Sequence, residues 1–234
     1  MLSHSNLLSN VETVARTFAF GPGDRFLSVL PLHHTFESTG GFLCPLRVGA
    51  SVAYARGLKS NELREDIRSS GTTLFIGVPL LYEKLIAAIH KGIEDAPLPR
   101  RLLALTLLGI TKTVRVLTGA RIGHALLRPV REAAGLGKLR MYVSGASALP
   151  TEVFWGFADL GWPLLEGYGL TETSPVVVAN RPPKPIPGAV GWPLAGVEVR
   201  IVNPDEAGDG EIAVRGPNVM KGYFKKPEAT AEVL

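Results

Sequence analysis

One cysteine, Cys44, stands among 234 residues, so no disulfide framework holds this chain together. A reducing compartment is consistent with that single thiol. No apolar run reaches the roughly 18 residues that a membrane-crossing helix needs. The opening stretch, MLSHSNLLSNVETVARTF, has no basic segment followed by an apolar one, so it does not read as a secretory signal. Internal repeats and low-complexity tracts are missing too. Hydrophobic residues make up 46% and charged residues 20%, the balance of a globular protein and not of a disordered chain. The length suffices for one large domain or two small ones, with a proper core.

Acidic residues are scarce in one segment. Between Pro97 and Arg140 nine basic residues meet a single acid, Glu132. The rest of the chain carries 16 basic and 20 acidic residues, so the formal net charge of +4 comes from that segment alone. An overall basic balance would suggest a polyanionic partner. A local one asks what the segment does. It mixes Leu, Ile and Val with Arg at near-helical spacing, which fits a helical insert with a solvated basic face. The sharper alternative is a surface that meets anionic membrane, although no Trp or Phe lies in it as an anchor. No nucleic-acid motif or aromatic–basic interleaving is present, so nucleic acid is not an expected partner.

The first two thirds alternate helix and strand signals. Apolar residues at Leu7, Leu8, Val11, Val14, Ala15 and Phe18 fall at helical spacing, with Ser3 or Ser5 available as N-cap. Strands are predicted at Arg25–Leu30, Ser51–Ala55, Thr72–Val78, Leu139–Val143 and from Pro163. Helices are predicted at Ser60–Ser70, stopped by Gly71, from Pro79 through Ile89, and from Pro150 to Leu160. Such alternation predicts an α/β fold with a mostly parallel sheet and flanking helices. Ligands of such sheets bind in loops at the carboxyl ends of the strands. Residues Arg181–Gly196 then carry five prolines and three glycines, and the runs Val197–Val202 and Glu211–Arg215 read as a hairpin in a β-rich subdomain.

Three loops after predicted strands hold the candidate chemistry: LPLHHTFE (Leu30–Glu37), YVSGASALP (Tyr142–Pro150) and EGYGLTETSP (Glu166–Pro175). Glycine and small hydroxyl residues let backbone approach a planar ring or a phosphate closely. Taken without wider context, His33 and His34 also read as a polar loop start. Ser144 and Ser147 read as turn residues, and Glu172 as an acid favoured at a helix start. His4, His90 and His124 have no partner spacing. Cys44, in GGFLCPL, reads as a buried small hydrophobe, and Phe154 and Trp155 as helix core.

The motifs together carry a resemblance. YGLTE (Tyr168–Glu172) resembles the signature of the adenylate-forming, AMP-binding enzymes. LPLHHTFE resembles their acyl-site motif, SGAS their adenine-binding turn, and GEIAVRGPNVMKGY (Gly210–Tyr223) their late β-subdomain motif. MLSHSNL resembles the residues just after their phosphate loop. All occur in family order, and the chain is most similar to bacterial long-chain fatty acid–CoA ligases.

The resemblance implies that Glu172 binds Mg²⁺, with nucleotide phosphates completing its shell. It implies that Thr171 hydrogen-bonds the α-phosphate and that Ser144, Gly145, Ala146, Ser147, Gly167 and Tyr168 form the adenine site. Gly169 and Leu170 would border acyl group and phosphate, and His34 would sit beside the acyl carboxylate and the α-phosphate. ATP or AMP, Mg²⁺, coenzyme A and a fatty acid are the implied ligands. The implied location is cytoplasmic, with peripheral contact at the inner face of the membrane as its sharper form. Ala146 departs from the glycine common in relatives, which puts the backbone angles there in question.

Motif order further predicts an internal part of a larger enzyme. It would hold an α/β AMP-binding core over 1–185, incomplete at its start, with a helical basic insert at about 97–138. The beginning of a β-rich subdomain would follow over 186–234. The ribose-binding aspartate and the lid domain with its catalytic lysine would lie beyond, which predicts no activity for the chain alone. Two other readings stay open: an acyl-AMP ligase that loads a carrier protein, and a non-catalytic nucleotide- or acyl-binding module.

Overall fold

The computed structural model describes residues 1–182 and 185–234. Pro183 and Lys184, inside the Pro/Gly-rich segment noted above, lie outside the described residues. Helix α1 spans His4–Thr17, and Ser3 takes the N-cap. Its hydroxyl accepts from Asn6 N at 3.2 Å, while the Asn6 carboxamide accepts from Ser3 N at 2.9 Å. Val11, Val14 and Ala15 form the buried face, as the spacing predicts, whereas Leu8 is exposed.

A seven-stranded sheet forms the centre. Its strands are β1 (Arg25–Ser28), β2 (Ser51–Tyr54), β3 (Leu74–Gly77), β4 (Met141–Ser144), β5 (Leu164–Gly169), β6 (Val176–Ala179) and β7 (Trp192–Pro193). The order is β2-β1-β3-β4-β5-β6-β7. The first five strands are parallel, and β6 and β7 add antiparallel at the edge. Strand β5 runs to Gly169, four residues past the short strand expected from Pro163–Leu165. This follows because β6 returns alongside it, pairing Gly167 with Ala179 and Tyr168 with Val178. Strands β8 (Glu198–Val202) and β9 (Glu211–Arg215) form the expected antiparallel hairpin.

Helices cover both faces, as a parallel sheet requires. After β1 the chain makes α2 (Thr35–Glu37), a π-helical turn (Ser38–Leu43) and α3 (Cys44–Val48). Then come α4 (Ser60–Ser70), stopped by Gly71 at φ +67°, and α5 (Pro79–Glu94), a turn longer than expected. The basic segment folds as α6 (Leu98–Thr118), α7 (Gly123–Leu126) and α8 (Arg128–Ala133). Helix α9 is Thr151–Asp159, and a short α10, Pro227–Ala231, follows the hairpin.

Strand residues alternate between two cores. Leu27, Phe75 and Tyr142 join Tyr82, Phe157 and Trp162 under α5 and α9. Phe26, Leu74, Ile76, Met141 and Val143 join Val11, Val14 and Phe18 under α1. Cys44 is fully buried, and burial pushes its thiol pKa up to about 12, so it behaves as a small hydrophobe and not as a nucleophile. Phe154 is core, while Trp155 is half-buried beneath the Arg115 guanidinium, 4.1 Å from its ring centroid.

Three cations of the basic segment are absorbed by the fold. Arg115 binds Asp159 of α9 through two hydrogen bonds of 2.5 and 2.9 Å. Arg131 is buried and donates to the carbonyls of Gly123, His124 and Leu160. Arg140 binds both carboxylate oxygens of Asp24, at 2.8 and 2.7 Å. The free positive field of the insert is thus smaller than its composition suggests.

Candidate functional site

The carboxyl ends of β1, β3, β4 and β5 open into a cavity of about 380 Å³. Its walls bring the three loops together. His34 and Thr35 come from the loop after β1, Gly145 and Ala146 from the turn after β4, and Gly167, Tyr168, Gly169, Leu170 and Thr171 from β5 and the turn beyond it. Thr35 Oγ1 lies 3.4 Å from Thr171 Oγ1, a direct link between the first and third loops.

Three residues named from sequence do not line the cavity. Ser144 is fully buried, and its hydroxyl has no hydrogen-bond partner among the described residues. Ser147 is exposed and is absent from the cavity lining. Glu172 sits in the short 3₁₀ turn Thr171–Thr173, and Tyr223 Oη donates to its Oε1 at 2.8 Å. That bond raises the Tyr223 pKa, because losing the phenolic proton would set a second negative charge beside the carboxylate.

The turn that carries Thr171 and Glu172 is held tightly. Leu170 N donates to Thr173 Oγ1 at 2.9 Å, and Thr173 N to Leu170 O at 2.9 Å. Residues 218–220 clasp it from outside. Asn218 Nδ2 donates to Thr173 O at 2.9 Å, Ser174 Oγ to Asn218 O at 2.8 Å, and Met220 N to Glu172 O at 2.8 Å. The late motif Gly210–Tyr223 therefore braces the YGLTE motif, although some forty residues separate them.

Backbone geometry explains the glycines. A Cβ at Gly169 would collide with the Pro175 carbonyl, and one at Gly145 would lie 2.9 Å from the Phe36 ring. Ala146 adopts φ +71°, the left-handed region that glycine enters freely and that costs an L-residue about 1 kcal/mol. The alanine thus takes the conformation a glycine would take. Glu166 Oε1 accepts from Leu149 N at 2.9 Å and so ties the far end of this turn to β5. Burial pushes the Glu166 pKa up, and the Leu149 amide pulls it back only in part.

Thr35, Glu166 and Tyr223 also join the site. Each lies inside one of the motifs, and only the folded geometry distinguishes these three from their neighbours.

The AMP-binding enzyme family matches residues 1–224. The chain belongs to the AMP-binding enzymes. It is 32% identical to the long-chain-fatty-acid–[acyl-carrier-protein] ligase AEE15, chloroplastic, of Arabidopsis thaliana, covering 100% of this chain and 37% of that protein. It is also 32% identical to the putative fatty-acid–CoA ligase fadD11 of Mycobacterium tuberculosis, covering 100% of this chain and 42% of that protein. Among solved structures, a malonyl-CoA ligase with methylmalonyl-CoA and AMP bound superposes with a TM-score of 0.72 at 27% identity, over 99% of this chain and 43% of that one. The chain thus spans about two fifths of the length of the curated relatives it matches. The AMP-binding sheet and its helices are those expected of the large domain of adenylate-forming enzymes.

Nucleotide and metal can be tested against this site. The flat wall of Gly145, Ala146, Gly167 and Tyr168 suits a planar ring, and the Thr171 hydroxyl is exposed at its edge. Among the described residues no group of three His, Cys, Asp or Glu side chains could hold a metal ion. Glu172 offers one carboxylate, whose Oε1 accepts from Tyr223. That donor set fits Mg²⁺ carried in on phosphate oxygens and does not fit a resident metal centre.

Proposed function

We propose that this chain supplies the adenylate-forming half-site of an ATP-dependent fatty acid–CoA ligase. The carrying observation is the convergence of His34, Thr35, Gly145, Ala146 and Gly167–Thr171 on one cavity. In the first step a carboxylate oxygen attacks the α-phosphorus of ATP. The new P–O bond forms as the bond to pyrophosphate breaks. In the second step the coenzyme A thiol, losing its proton, attacks the acyl carbon and AMP leaves.

Transfer at phosphorus needs in-line positioning and charge neutralisation more than a strong base. Thr171 donates to an α-phosphate oxygen, and Thr35 orients that hydroxyl from the other side. His34 lies where a carboxylate enters between them. Tyr223 holds the Glu172 carboxylate in one rotamer. Glu172 would hold Mg²⁺ together with the nucleotide, and the ion would supply charge neutralisation. A long acyl chain and coenzyme A as acceptor are the finer parts of this reading. Loading of a carrier protein is the alternative, favoured by the name of one relative.

The uncharged stripe on α6 supports a peripheral contact with anionic membrane as part of this reading. Leu98, Leu102, Leu105, Ile110, Val116 and Leu117 are exposed along it, with Arg101 and Lys112 at one edge. Salt-sensitive pelleting with anionic vesicles is expected; equal pelleting with neutral ones rejects the electrostatic contact.

Equilibrium binding tests the nucleotide reading. The protein is expected to bind a non-hydrolysable acyl-sulfamoyl adenosine more tightly than AMP, and Thr171→Val is expected to weaken that binding about tenfold, the worth of one charged hydrogen bond. Unchanged affinity in both Thr171→Val and Tyr168→Ala would overturn it.

A further inference from the structure

A second cavity, of about 450 Å³, lies on the opposite face of the sheet, away from the nucleotide site. Leu85, Ile89 and Ile93 of α5, Leu103 and Leu107 of α6, and Val130 of α8 form its apolar walls. No acidic residue lines it. Two arginines do: Arg64 of α4 and Arg100 of α6, both exposed and, among the described residues, in no ion pair. Its size is that of small-molecule pockets in general.

Gly92 lines the cavity and is exposed. It sits inside α5, where glycine is less stable than any residue except proline. A Cβ added there would meet nothing within 4 Å, so no packing constraint demands the glycine. A larger residue would strengthen the helix and fill the cavity. An apolar chamber lined by two arginines and no acid suits an amphiphile with one alkyl chain and an anionic head.

The geometry points to a binding site for a single-chain amphiphilic anion between α4, α5, α6 and α8. Its alkyl chain lies against Leu85, Ile89, Leu103 and Leu107, and its carboxylate or phosphate head lies between Arg64 and Arg100. The site is separate from the adenylate cavity and does not depend on that cavity's reaction.

The test uses the protein without vesicles and with ligands below their micellar concentration, which separates this site from any bilayer contact by α6. Laurate, dodecyl phosphate and dodecanol compete with a fluorescent fatty acid, and a diazirine-bearing fatty acid is cross-linked and mapped by mass spectrometry. Laurate and dodecyl phosphate are expected to bind at least tenfold more tightly than dodecanol, and preference between the two identifies the natural head group as carboxylate or phosphate. Gly92→Leu should weaken both anions at least tenfold while raising the melting temperature. The Arg64→Gln, Arg100→Gln double variant should remove the preference over dodecanol. Cross-links should fall within residues 85–107. Cross-links confined to residues 30–40 and 167–176 would overturn the proposal, as would unchanged anion binding in a folded Gly92→Leu protein. Loss of adenosine-analogue binding with retained laurate binding would defeat the proposed function and leave this site standing.

Discussion

The two faces of the central sheet are built for different ends. Under α5 and α9, Phe75, Tyr82, Tyr142, Phe157 and Trp162 meet with ring centroids 4.9 to 6.3 Å apart, mostly edge to face. This face has the larger core and carries the basic helices. The face under α1 is filled by smaller residues with Phe18 and Phe26, and at its carboxyl edge it gives way to the cavity lined by the three loops. Neighbouring strand residues serve both faces: Phe75 packs on one side, while Leu74 and Ile76 pack on the other. A stiff aromatic floor on one face thus positions strand ends whose other face is open for ligand.

The strongest way to break that division is at Gly169. Gly169→Ala drives a methyl into the Pro175 carbonyl, so it should displace the Thr171 turn and abolish binding of the acyl-adenosine analogue. Circular dichroism and a denaturant melt check that the aromatic floor survives; loss of both together would show that the faces are not independent. Next in size, Asp159→Ala leaves Arg115 with 13% of its side chain exposed and no carboxylate, at a cost of about 3 kcal/mol in urea unfolding. Analogue binding should persist. A change below about 0.5 kcal/mol would mean that packing, not the ion pair, fixes α6 to α9.

Two tyrosines sharpen the picture within one core. The Tyr82 hydroxyl donates towards Val143 O at 2.7 Å, with Phe75 O at 3.1 Å, whereas the buried Tyr142 hydroxyl has no partner among the described residues. Tyr82→Phe should therefore destabilise by about 1–2 kcal/mol. Tyr142→Phe should be neutral or stabilising by up to about 1 kcal/mol, since it removes an unpaired buried polar group. Equal effects in thermal melts would refute this contrast.

How much of this could be read from the chain depended on range. The parallel core was legible because its strands are short apolar runs bounded by Pro and Gly, and α4 ended at Gly71 as its left-handed φ requires. Strands β6 and β7 carry weak sequence signals: VVVA follows directly on the site turn, and Trp192–Pro193 is a two-residue strand within a Pro/Gly-rich segment. The Asn180 carboxamide accepts from Ile186 N at 2.8 Å and donates to Ala189 O at 2.6 Å. The cavity-lining glycines, His34 and Thr171 were legible from motif and strand-end position. Ser144 was not, because whether a serine at a strand end points inward depends on register against β3 and β5. Tyr223 was not, because its link to Glu172 spans 51 residues.

The smallest expected effect concerns Glu37, at the seam between the two faces. Its carboxyl is fully buried and lacks a hydrogen-bond partner in good geometry among the described residues. Burial raises its pKa above the usual 4.5, and the Ser28 hydroxyl and the Val29 and Leu30 amides oppose that only in part. The unfolded chain ionises Glu37 near 4.5, while the folded chain holds the proton to higher pH. Stability from this group is therefore fully present below about pH 4.5 and declines as pH rises through the raised folded value. Glu37→Gln should remove that decline, so the variant gains on the parent protein as pH rises from 4.5 towards neutrality. Urea midpoints measured across that window provide the check. Parallel pH profiles for the two proteins would show that Glu37 finds compensation as the ion, and that the seam tolerates a buried charge.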